Sequence, residues 1–116
     1  MKKRKTPGPD KWIKEWSSDM QLGPLYQLAR LQQDNRAGAM HICVYTALLH
    51  LWHRNYYRVP FAITRKQVML LAKIRSKVTY HKVMDELNMF GYISYYPSFH
   101  PLRGSIIFFN LTDDLD

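Results

Sequence analysis

The chain of 116 residues has a single cysteine, Cys43. One thiol excludes an internal disulfide and a CxxC metal site, and the expected setting is a reducing, cytoplasmic one. Carboxylates are scarce: nine Asp and Glu stand against 17 Lys and Arg, a formal net charge of +8. Three of those acids, Asp113, Asp114 and Asp116, crowd the last residues, which leaves little material for a paired-carboxylate catalytic site. No stretch approaches the roughly 18 apolar residues of a membrane helix, so no membrane span is expected. The charged start lacks a following apolar run, so no secretory signal is expected either. The spacings GxxxxGK[ST], GxGxxG, HExxH and GxSxG are all missing. Each would have carried phosphate, dinucleotide, zinc or acyl chemistry. The expectation is a protein that is not an enzyme, with no cofactor, no metal and no small-molecule substrate.

Histidine and cysteine do not change that expectation. His50 and His53 stand at i, i+3, yet residues 35–84 contain no acid to complete a metal site. They read as flanks of a core edge at Trp52. Cys43 has no marked basic neighbour and reads as buried rather than nucleophilic.

What the chain does have is apolar mass and clustered positive charge. At 47% hydrophobic it can bury one core, and a pI near 9.7 points to an anionic partner, most often nucleic acid. The first 16 residues carry Lys2, Lys3, Arg4, Lys5, Lys11 and Lys14 against Asp10 and Glu15. Residues 54–82 carry Arg54, Arg58, Arg65, Lys66, Lys73, Arg75, Lys77 and Lys82 with no carboxylate at all. Folded into one unit, such a segment makes a positive face suited to a phosphate backbone.

Hydrophobic spacing gives the elements. Pro7, Gly8 and Pro9 make residues 1–11 a flexible basic arm. Trp12, Ile13 and Trp16 fit one helical turn packing on the body. Gly23-Pro24 reads as a break, after which Leu25, Leu28 and Leu31 suggest a short helix ending near Asp34-Asn35. Residues 12–37 together form an N-terminal helical extension. The strongest helix runs from Ala39 to about Arg54, with Ile42, Tyr45, Leu48, Leu49 and Trp52 as its stripe. Pro60 stops its continuation, and Phe61 to Ile63 reads as a short strand. Thr64 with Gln67 forms a capping box for a short helix burying Val68, Leu71 and Ala72. Lys73 to Arg75 makes a turn, and Ser76 caps a helix from Lys77 to about Phe90. Its apolar stripe is Tyr80, Val83, Met84, Leu87 and Phe90, and Gly91 supplies the left-handed stop. The period then changes from 3.6 to 2: Tyr92 to Tyr96 and Ser105 to Phe109 are strands around a loop at 97–104. The fold class is α+β, mainly α, with a small antiparallel sheet and an extra N-terminal helix. Residues 38–112 form the main domain and 113–116 an acidic tail.

Helix, short strand, short helix, tight turn, helix and hairpin is the order of a winged helix-turn-helix. The run Lys73-Ile74-Arg75-Ser76-Lys77-Val78-Thr79-Tyr80, with Leu87, Gly91, Tyr92 and Ile93 after it, resembles bacterial winged-helix DNA-binding proteins. Tyr95-Tyr96-Pro97-Ser98 to Arg103-Gly104-Ser105 is similar to small proteins of conjugative elements and to winged-helix domains of plasmid and phage replication initiators. The resemblance spans residues 39–111. It implies double-stranded DNA as ligand, in transcription regulation or in replication or excision of a mobile element. It further implies a cytoplasmic, nucleoid-associated protein, with a second copy as a homodimer partner.

On that reading Lys77, Val78 and His81 are the base-contact candidates, since a recognition helix enters the major groove by its N-terminal end. Arg65, Lys66, Arg75, Ser76, Thr79 and Lys82 are phosphate-contact candidates. His100 and Arg103 lie in the wing, and Lys2, Lys3, Arg4 and Lys5 in the arm. Plainer roles stand beside these: Lys82 pairing with Asp85 or Glu86, and Val78 in the core if the helix is rotated. Two other functions compete. One is a winged-helix adaptor using its tryptophans and tyrosines. The other is an RNA binder stacking bases on Tyr95, Tyr96, Phe108 or Phe109. The acid-free basic run favours DNA over the adaptor.

Overall fold

The computed structural model describes residues 23–98 and 103–110. The basic arm with Lys2, Lys3, Arg4 and Lys5, the Trp12 to Trp16 turn, His100 and the acidic tail lie outside the described residues. The elements in order are α1 (Gly23–Gln32), α2 (Ala39–Arg54), β1 (Phe61–Ile63), α3 (Arg65–Ala72), α4 (Lys77–Met89), β2 (Ile93–Tyr96) and β3 (Ser105–Phe109). The described residues thus form a mainly helical α+β fold, with four helices and a three-stranded antiparallel sheet.

Gly23-Pro24 begins α1 instead of breaking the chain. Proline suits a first turn, where its missing N–H would have no helical partner. Pro24 is buried, and its carbonyl accepts a 2.9 Å hydrogen bond from the Tyr45 hydroxyl on α2. That anchor turns the buried face to Pro24, Gln27 and Leu31, and leaves the expected core residue Leu25 47% exposed. The helix stops at Gln32, ahead of the expected Asp34-Asn35. Asp34 is otherwise engaged: it accepts from the Arg36 guanidinium at 2.6 and 2.9 Å and from the Tyr92 hydroxyl at 2.8 Å. The Arg36 hydrogen bonds, foremost, hold the Asp34 carboxyl well below the usual carboxylate range.

α2 is the central helix, packed by α1, α3 and α4. Being covered on several sides, it buries Val44, Ala47 and Leu51 as well as Tyr45, Leu48 and Trp52. The expected stripe was too narrow, and its members Ile42 and Leu49 are only half-buried. His41 was not expected in the core, yet it is 9% exposed. Its Nδ1 accepts from the Gly38 N–H at 3.0 Å, and its Nε2 lies 2.8 Å from Glu86 Oε1 on α4. One imidazole therefore caps α2 and ties it to α4. Cys43 is exposed, against expectation: it shares the open side of α2 with Thr46 and His50. His53 is also exposed, edge-on to Tyr57 at 5.2 Å between centroids.

The strands order β1-β3-β2. Phe61 pairs with Ile107 and Ile63 with Ser105 on one side, and Ile93 pairs with Phe109 and Tyr96 with Ile106 on the other. Alternation sends Phe61, Ile63, Ile93, Ile107 and Phe109 into the core and Ala62, Tyr96 and Phe108 outward. On the free edge of β2, the Tyr95 N–H donates to the Asn88 side chain at 2.9 Å, which blunts that edge. At the hairpin foot Gly104 has φ +71° and its Cα faces the Ile63 carbonyl, so a side chain has no room there.

Candidate nucleic-acid interface

The structure fixes α3 and α4 by local hydrogen bonds that need no partner. The Thr64 hydroxyl accepts from the Gln67 N–H at 3.1 Å, and Gln67 Oε1 accepts from the Thr64 N–H at 2.9 Å, the capping box read from the sequence. At the other end of α3, Lys73 adopts φ 63°. The Ile74 N–H then reaches back to the Met69 carbonyl at 2.9 Å, and Ile74 is buried. This is the left-handed helix stop that glycine usually occupies. Ser76 follows at once and accepts from the Thr79 N–H at 3.2 Å, so α4 restarts after a four-residue turn. α4 ends the same way through Gly91, with the Tyr92 N–H bonded to the Leu87 carbonyl at 3.0 Å. Val68 and Ala72 anchor α3, and Tyr80, Val83, Met84 and Leu87 anchor α4. Leu71, expected to be buried, is 37% exposed.

This scaffold places cations on both sides of a groove. A cavity of about 640 Å³ opens between α3, the turn and the start of α4. Arg65, Lys66, Lys73, Arg75 and Lys77 line it together with Met69, the buried Ile74 and the exposed Leu70. A second cavity, of about 510 Å³, lies between α3, α4 and the hairpin. Arg65 and Lys66 line it too, facing His81, Tyr95, Ser98 and Ser105. These two cations thus form the ridge between the grooves. No carboxylate lines either one. Among the described residues the ion pair is Arg36–Asp34, and Glu86 is held by the His41 imidazole; neither contact includes a cation of this face. The pairing of Lys82 with Glu86 considered from the sequence is not formed, because Glu86 is held by His41.

Of the base-contact candidates, Val78 and His81 lie on the outward side of α4. Nine residues at about 100° each carry Leu87, fully buried, to the side opposite Val78. Val78 is 78% exposed, which excludes the rotated-helix reading. Lys77 sits on the flank, turned toward α3 and the first groove. The Ser76 hydroxyl accepts the capping hydrogen bond, to which Thr79 contributes its backbone N–H and not its side chain. Lys82 continues the outward stripe, and Asp85 ends its positive part. Arg103 is exposed beside Gly104. Lys73 was read as a turn residue only; its place on the groove rim is new. The signal in the sequence was a lysine standing where a helix stop favours glycine.

Tyr80 sits at the back of the second groove. Burial, above all, pushes its phenol up, neighbouring Tyr95 adds to the rise, and Arg65 opposes it. The hydroxyl stays neutral in any physiological range, as do those of Tyr45 and Tyr92, which burial raises likewise. The described residues hold no cluster of three His, Cys, Asp or Glu able to bind a metal ion. None of their helices is long and apolar enough to cross a membrane.

Comparison with protein-family models, with curated proteins and with solved structures finds no match.

Proposed function

We propose that the chain is a winged helix-turn-helix protein that binds double-stranded DNA sequence-specifically. α3, the turn and α4 act as the helix-turn-helix, and the β2–β3 hairpin acts as the wing. The observation that carries this reading is the acid-free groove rimmed by Arg65, Lys66, Lys73, Arg75 and Lys77. It adjoins the start of the helix whose outward side holds Val78, His81 and Lys82. α4 enters the major groove by its first two turns. Val78 and His81 face base edges, with Lys77 at the margin. Arg65, Lys66, Lys73, Arg75 and Lys82 contact phosphates on the two flanking strands. Arg103 follows the backbone at the hairpin, and the arm, with its four consecutive cations, adds non-specific attraction. Such a protein serves transcription regulation or the replication or excision of a mobile element, in the nucleoid. Pairing of two copies would show as a palindromic site with half-sites about one helical turn apart.

Selection of the full chain against a random-sequence duplex pool tests the reading. An enriched motif is expected. If four to six of the face's cations reach phosphates, log K against log salt should fall with a slope of about −4 to −5. Absence of any enriched motif, or a slope near zero at measurable affinity, refutes it. A single-stranded RNA pool run in parallel separates the stacking alternative, which would use the exposed Tyr96 and Phe108 pair, 5.8 Å apart on the outer sheet face.

A further inference from the structure

Val78 has no role in the folded chain that explains a branched apolar side chain there. It is 78% exposed, in the first turn of α4, and points directly away from Leu87. Helix formation favours neither valine nor an apolar group at that position; a first turn prefers Asp, Glu, Ser or Thr. The cap is made by Ser76 and Thr79, and the core by Tyr80, Val83, Met84 and Leu87. Within residues 77–82, Val78 is the one exposed apolar side chain, set among Lys77, His81 and Lys82. An apolar group inside a cationic, acid-free face is matched by a ligand that is polyanionic and carries an isolated apolar group. Major-groove DNA is such a ligand, and its base edges offer one apolar group, the C5-methyl of thymine.

Resting on the DNA reading above, we infer that Val78 is a specificity-determining residue that packs on a thymine C5-methyl group. The two valine methyls cover the thymine methyl, while Arg75 and Lys82 hold the phosphates on either side. A cytosine at that position places a polar amino group in the pair's major-groove edge and no methyl beside it. The preference therefore comes from removing one methyl from water, worth roughly three- to fivefold in affinity.

Deoxyuridine substitution isolates that methyl, because it changes nothing else in the base pair. The duplex selected from the random pool is remade with each thymine replaced singly by deoxyuridine. Wild-type affinity should fall about three- to fivefold at one thymine of the selected site and stay level at the others. With Val78→Ala the all-thymine duplex should bind more weakly, and the penalty at that position should disappear. Because Val78 is on the surface, the variant should melt within a degree or two of wild type, which shows that the fold is intact. A selected duplex in which no deoxyuridine matters, or in which Val78→Ala keeps the same penalty, overturns the inference while leaving DNA binding in place. Failure of the full chain to bind any duplex overturns the DNA reading itself, and this inference with it.

Discussion

Adding one methyl group at Gly104 should separate two costs that glycine avoids there. The first is conformational: φ is +71°, where a non-glycine residue loses roughly 1–2 kcal/mol. The second is steric, since a Cβ at this position would lie 2.6 Å from the Ile63 carbonyl oxygen and 3.3 Å from its carbon. Both atoms are backbone in β1, so relief requires moving a strand rather than a side chain. Overpacking of that kind adds roughly 1–3 kcal/mol. Gly104→Ala should therefore cost about 2–5 kcal/mol. Gly91 supplies the control: its φ is +93°, and a Cβ there meets nothing within 4 Å. Gly91→Ala should show the conformational cost alone, about 1–2 kcal/mol. Guanidinium titration followed by tryptophan fluorescence reads the difference, because Trp52 packs on Phe109 of β3. Gly104→Ala should also weaken DNA binding where both proteins are folded, since the strain moves Arg103. Equal costs for the two alanine variants would refute the close approach of the hairpin foot to β1.

Leu87→Ala should cost about 2–5 kcal/mol, since Leu87 is fully buried in the centre of α4, whereas Lys77→Ala should stay within about 0.5 kcal/mol; equal melting shifts would mean that α4 is rotated. Lys73→Gly should raise stability by about 0.5–1 kcal/mol by relieving a left-handed lysine, and lower DNA affinity severalfold by removing a rim cation; a calorimetric melt and a binding titration check the two signs. Burial raises the phenols of Tyr45, Tyr80 and Tyr92, so their folded forms hold protons that the unfolded chain releases from about pH 10. Their stabilisation is complete below that pH and is lost as pH rises past it, and Tyr80→Phe should flatten the alkaline fall in melting temperature.

Periodicity served well where a helix has one covered side and poorly elsewhere. α4 packs on one side only, and of its expected stripe Tyr80, Val83, Met84 and Leu87 are buried, while Phe90 at the C-cap is half-buried. α2 is wrapped, so Val44, Ala47 and Leu51 are buried too, and a one-sided stripe could not find them. α1 defeated the reading in another way. Leu25, Leu28 and Leu31 repeat at three, but the hydrogen bond from Tyr45 to the Pro24 carbonyl sets the rotation, and that partner lies 21 positions further along the chain. His41 was missed for the same reason, since both its capping role and its Glu86 partner depend on geometry that no local pattern carries. Caps and stops were legible because Thr64, Gln67, Ser76 and Gly91 act within five residues of themselves.

The candidate site was legible as charge and not as shape, and shape shows where the local rules give way together. The first turns of α3 and α4 hold no acid, and carry Arg65, Lys66 and Lys77 against the positive helix end. Lys73 takes a left-handed conformation that glycine adopts more freely, and Val78 leaves an apolar branch in water. Each choice is unfavourable for the isolated fold by roughly a few tenths to 2 kcal/mol, offset at Lys73 in part by the helix-stop hydrogen bond from the Ile74 N–H to the Met69 carbonyl. Elsewhere Asp34 is paired with Arg36 and the β2 edge is blunted by Asn88, while Tyr56 and Tyr57 also take positive φ and the buried Trp52 indole N–H has no partner among the described residues. On the proposed DNA reading, a bound polyanion would offset the departures on α3, the turn and the start of α4 together: it would neutralise the crowded cations, meet the helix N-termini and cover the exposed valine.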